Sequence, residues 1–168
     1  RADLRGNGYA FSHSVAHNMA SYLNSSMQVA MNELSNHDHS RFLTRTNHVV
    51  GRIGAFRPED AEQNVNPAVM REAVAIQMTW VGAPTVYYGD PWGHEDQEMI
   101  AFHRDMIAIH RKYPTLCIGS IKLLLAGDNV LAYARFDDQA QIVTVVNNSD
   151  ELQQVCIPVW QAELPQKG

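Results

Sequence analysis

The stretch MNELSNHDHSRFLTR, residues 31–45, places one carboxylate, Asp38, between His37 and His39, with Asn36 before them and Arg41 after. Three uses fit these residue types. A metal could take Asp38 and the imidazoles, but an extended chain turns neighbouring side chains to opposite faces. No further ligand cluster stands at a standard spacing, so no metal site is expected. A polar turn would use Asn, Asp and Ser for their bonds to nearby backbone. A reactive rim would use Asp38 to face a positively charged transition state and His37 to bond a hydroxyl. Arg41 could then keep a carboxylate ionised by charge pairing. Residue types alone leave the turn and the rim both open.

A second candidate is GAPTVYYGD, residues 82–90. Tyr87 and Tyr88 could line a core or its rim, or offer an aromatic face to the apolar side of a pyranose. Trp80 and Trp92 read as core or rim residues. His103 and His110 share one side of a helical pattern and read as packing or surface residues. The run HEDQE at 94–98 lacks the second histidine of a zinc-protease helix and is set aside.

Elements must deliver these residues. Residues 9–24 suit a helix, with Phe11, Val15, Met19 and Tyr22 on one face. The run 27–34 reads as a buried strand, with the polar cluster at its C-terminal end, where barrel sites collect. Residues 45–66 read as a long loop. Asn66 and Pro67 signal a cap and first turn, and the apolar spacing from Val69 to Trp80 predicts a helix. A short strand over 83–88 and a helix over 95–112 follow, the latter with Met99, Phe102, Met106, Ile109 and Tyr113 as its stripe; Pro114 ends it. Beyond 115 the period changes to two, and IKLLLAG, NVLAYARF, QIVTVVNN and LQQVCIPVW predict four strands. The front is α/β with parallel strands. Two such strands alone leave edges and helix faces uncovered, so further strands from elsewhere are expected.

The 168 residues are 45% hydrophobic, enough for one ordinary core or a core with an appendage, and the formal charge is −5. A scattered acidic balance gives no footprint for nucleic acid, and no apolar run approaches the ~18–20 residues of a membrane span. Cys117 and Cys156 are too few for a disulfide framework and read as core thiols. Sparse cysteine favours the cytoplasm over a secreted setting. The opening RADLRGNGYA resembles neither a natural start nor a signal peptide, as in a fragment or a trimmed chain.

SNHDHSRF followed by QMTWVGAPTVYYGD resembles the α-amylase family of glycoside hydrolases, nearest its cyclomaltodextrinase, neopullulanase and maltogenic amylase branch. PWGHEDQEMIAFHRDMIAIHRKYP and GDNVLAYARFDDQAQIVTVVNNSD extend the resemblance over nearly the whole chain. It implies the last part of a (β/α)8 TIM barrel over 1–114, strands seven and eight with their helices. An all-β C-terminal sandwich would begin over 115–168. It implies that Asp38 stabilises the transition state and His37 bonds the sugar at the cleaved position. Asn36 and Arg41 support them, and Tyr87, Tyr88 and Asp90 fall on the eighth-strand motif. The partner implied is an α-glucan oligosaccharide such as a maltodextrin, cyclodextrin or pullulan. The remainder of the barrel would be a second partner, and a homodimer a third. No cofactor is required, though a structural calcium in the complete protein is allowed.

Two departures weigh against the chain acting alone. Retention needs a nucleophile and an acid/base, and no segment here resembles the family motif of either. Asp90 also meets Pro91 directly, where the family inserts a glycine-rich loop. A non-catalytic glycan-binding or transporter-associated protein on the same barrel, and a glucan transferase or isomerase, are the alternative readings.

Overall fold

Asn66 opens the helix that organises the front of the molecule. Its side chain accepts from the N–H groups of Ala68 and Val69, and Pro67 fills the first turn. The structure is a computed structural model, and it describes residues 7–46, 63–91 and 97–162. In chain order the elements are α1 (Gly8–Ser21), α2 (Asn24–Val29), β1 (Met31–Glu33), α3 (Phe42–Arg45), α4 (Pro67–Thr79) and β2 (Ala83–Thr85). Then come α5 (Gln97–Lys112), α6 (Thr115–Ile118), β3 (Ser120–Ala126), β4 (Val130–Phe136), β5 (Gln141–Asn147) and a 3-10 turn, Val159–Ala162. The loop expected over 45–66 lies largely outside the described residues, as do Trp92 and the start expected for the helix over 95–112.

β1 and β2 pair in parallel, Met31 opposite Ala83 and Glu33 opposite Thr85. A helix covers them. Met70, Val74 and Met78 of α4 meet Met99 of α5 and Leu43 of α3 in one core, each burial worth roughly 1.5–3 kcal/mol. Gln77, buried on the same face, donates to the carbonyls of both Asn32 and Thr85 at 2.9 Å. One amide thus holds the two strands to the helix.

β3, β4 and β5 form an antiparallel sheet with β4 in the middle. Ala132 and Ala134 face Leu124 and Ala162 on one side. Tyr133 and Arg135 face α4 and α6 on the other. The Tyr133 hydroxyl is 2.6 Å from Thr79 Oγ1, and the Trp80 ring meets it edge-on at 4.6 Å. Arg135 donates to the carbonyls of Leu116 at 2.8 Å and Gly119 at 3.0 Å. α1 docks at the same seam. Phe11 stacks edge-on against Trp80, and Gly8 N–H bonds Gly127 O at 3.0 Å in a contact too close for a side chain. Among the described residues, no helix is long and apolar enough to cross a membrane.

Several expectations are corrected. The run 27–34 is no buried strand: residues to Val29 are helical, and the three residues of β1 are partly exposed. The N–H groups of Ser26 and Met27 both bond Leu23 O at 3.0 Å. Local bonding prevails where, among the described residues, β2 alone pairs with β1. The fourth strand of the tail does not form. Asn147 and Ser149 side chains hold Glu151 O, Pro158 has no N–H to give, and Leu152 is 99% exposed. Both cysteines are exposed rather than in the core. Within α5, His103 takes a buried place on the core face, while Ile109 is exposed.

Candidate functional site

The loops leaving β1 and β2 stand side by side, because the strands are parallel neighbours and both loops leave from C-terminal ends. The first carries the Asn36–Arg41 cluster. Asn36 Oδ1 accepts the N–H of Asp38 at 3.0 Å, and its amide donates to Glu33 Oε1 at 2.9 Å. His39 Nδ1 lies 3.3 Å from the same Asn36 oxygen. Asn36 is therefore the pivot of the turn, which carries His37 and Asp38 outward. Their side chains are 84% and 63% exposed, with Nε2 3.7 Å from Oδ1. The polar-turn reading describes this geometry, and both side chains are open to solvent.

The second loop carries the tyrosines. Tyr87 and Tyr88 rings sit 4.7 Å apart, and the Arg41 guanidinium lies 6.0 Å from the Tyr88 ring centre. It crosses the face of Gly89 so closely that a side chain there would strike it. Desolvation, and then the hydrogen bond with Tyr88, raise the Tyr87 phenol above its ordinary value. Tyr88 is exposed and Tyr87 half-buried, one ring outward and one inward.

A buried latch joins the loops. Ser35 Oγ donates to Asp90 Oδ1 at 2.5 Å and accepts the N–H of Phe42 at 2.9 Å. Asp90 is 3% exposed. Burial pushes its carboxyl up, against the Ser35 hydrogen bond and the positive groups of His103, Arg41 and Arg45. Arg45, whose guanidinium burial pulls down and Asp90 props up, donates to Leu34 O. Sequence reasoning passed over Ser35, Gln77 and Arg45. The usable signal was a polar residue on an otherwise apolar face, as with Gln77. Among the described residues, no group of three or more His, Cys, Asp or Glu could hold a metal ion.

No protein-family model matches the chain. It is 29% identical over 158 residues to a cyclomaltodextrinase from a Bacillus species, which covers 82% of this chain and 25% of that protein. A solved cyclomaltodextrinase matches with a TM-score of 0.60 and 27% identity, over 77% of this chain and 23% of the other. An Anoxybacillus α-amylase structure shares the fold, with a TM-score of 0.67 at 23% identity over 86% of this chain and 32% of the other. The chain is thus similar to glycoside hydrolases of the α-amylase family, of the cyclomaltodextrinase, neopullulanase and amylopullulanase kind, and it matches a C-terminal-like portion of them. It spans about a quarter of the length of the cyclomaltodextrinases it matches.

Proposed function

We propose that this chain contributes one wall of the sugar-binding cleft of a retaining α-glucan hydrolase, with Asp38 as transition-state stabiliser. The carrying observation is the pair of loops at the C-terminal ends of two parallel strands. They present Asp38 and His37 on one side, and Tyr88 with Arg41 on the other, over the Ser35–Asp90 latch. β1 and β2 are read as the seventh and eighth strands of a (β/α)8 barrel, and residues from 115 onward as the start of a β-sandwich. The remaining strands of the barrel cover the faces left open here.

As the glycosidic bond breaks, positive charge develops on the sugar ring, and an anionic Asp38 opposite it lowers the barrier by electrostatic stabilisation. His37 bonds a hydroxyl of the same ring, and the Asn36 turn fixes both. Arg41 holds Tyr88 as a stacking face. The bond-breaking itself belongs to a nucleophile and an acid about 5–5.5 Å apart, and no motif for either occurs in these residues. The chain by itself therefore gives no turnover. Hydrolysis and transfer share the glycosyl intermediate and differ only in the acceptor, so product analysis assigns the outcome.

The test is Asp38→Asn in the complete enzyme, assayed by reducing ends released from a maltodextrin. Loss of one such electrostatic contact lowers kcat by about 10²–10³-fold, with little change in unfolding midpoint. An unchanged kcat removes Asp38 from the chemistry.

A further inference from the structure

His110 lies in the last turn of α5, its Nδ1 2.8 Å from the carbonyl oxygen of Met78 near the end of α4. A carbonyl only accepts, so Nδ1 holds the proton in this contact and Nε2 of the neutral ring keeps its lone pair. That Nε2 is 3.5 Å from Sγ of Cys117, across the turn at Pro114. Cys117 is on the outer side of α6, open to solvent, while Thr115 and Leu116 beside it are buried. Thiol, imidazole and an orienting acceptor, in that order, form the arrangement that activates a weak nucleophile. Beneath it the buried guanidinium of Arg135 bonds the carbonyls of Leu116 and Gly119, which bracket Cys117. Cys156 is exposed as well.

We propose that Cys117 and His110 form a thiol-modification site that takes low-molecular-weight disulfides. The Sγ proton passes to His110 Nε2, and the thiolate attacks one sulfur of the incoming disulfide. A protein–small-molecule S–S bond forms as the old S–S bond breaks. The departing thiolate takes the proton back from the imidazolium. The disulfide is the oxidant, so no further electron carrier is needed. The site is independent of the sugar cleft: it sits where α4, α5 and β4 meet, away from the loops that carry Asp38.

The test treats the full chain with 2-hydroxyethyl disulfide, an uncharged probe, and follows each cysteine-containing peptide by mass spectrometry. Cys117 is expected to react about ten-fold faster than Cys156 near neutral pH. His110→Gln keeps an amide donor for Met78 O and removes the base, so it should bring the two rates together with the circular dichroism unchanged. Equal rates in the unmodified chain overturn the proposal, as does an unaltered ratio in His110→Gln. Should His110→Gln fail to fold, the unmodified chain decides: the Cys117-to-Cys156 rate ratio must grow as pH falls from alkaline to neutral. A flat ratio overturns the proposal.

Discussion

Ser35→Ala removes both halves of the latch at once. Oγ gives its proton to Asp90 at 2.5 Å and receives the N–H of Phe42 at 2.9 Å. A hydrogen bond to a charged group is worth ~1.5–3 kcal/mol, and a partly buried N–H left bare costs about 1 kcal/mol more. The expected loss near neutral pH is therefore about 3 kcal/mol. Its pH dependence is the sharper test. Burial leads the upward push on Asp90, so the folded state holds this proton to a higher pH than the unfolded chain does. Between the ordinary and the raised value the folded state binds more protons, and stability falls as pH rises. This is the reverse of a salt-bridged aspartate. Ser35 is one of the groups opposing that push, so its removal raises the folded value further. The deficit of Ser35→Ala should be largest where Asp90 is charged, and shrink to about 1–2 kcal/mol once acid has protonated it. Urea unfolding midpoints of the two proteins across a pH series measure this. With Asp90→Asn as background, the oxygen acceptor stays, the charge goes, and the dependence should vanish. A deficit that ignores pH in the unaltered background would refute the reasoning, because the hydrogen bond would then not be serving a buried charge.

Three other outcomes follow from the geometry. Gly82→Ala should cost roughly 1–3 kcal/mol in urea unfolding, since Gly82 holds φ at +129° and an added Cβ would sit 2.8 Å from Ala30 O. Arg135→Lys keeps the charge but cannot reach Leu116 O and Gly119 O together; a loss of about 2–4 kcal/mol is expected by thermal or urea unfolding. Burial pushes the Tyr133 phenol up to about 12, so its native absorbance should not shift as the exposed tyrosines ionise. Its protonated form is then favoured by the folded state, and stability drops as pH climbs from the ordinary phenol range toward that value.

Much of the front was legible because helices announce themselves locally. Asn66, Pro67 and the four-residue spacing of Met70, Val74 and Met78 mark α4 locally, so periodicity found it. β4 and β5 were legible for the same reason, through alternation. β1 was not, because a strand's length depends on its neighbours. With one partner strand among the described residues, Ser26 and Met27 bond Leu23 O in a short helix instead. Residues 152–158 alternate as a strand would, but the bonds that fold Glu151 back are made by Asn147 and Ser149, which the pattern does not weigh. The rim residues could be singled out by type, yet the latch beneath them could not. Ser35 and Asp90 stand 55 positions apart, and only the parallel pairing of β1 and β2 brings them together.

The junction of α4 with β4 bears on how such a chain can be rearranged. Trp80 and Thr79 reach across to Tyr133, and Arg135 closes over the carbonyls of Leu116 and Gly119. A graft that swapped the three-stranded sheet for another would have to bring the last turn of α4 and the whole of α6 with it. Lengthening β5 or redrawing the 152–158 segment asks for no such company. The transferable unit thus begins in the last turn of α4, well upstream of the first residue of the sheet.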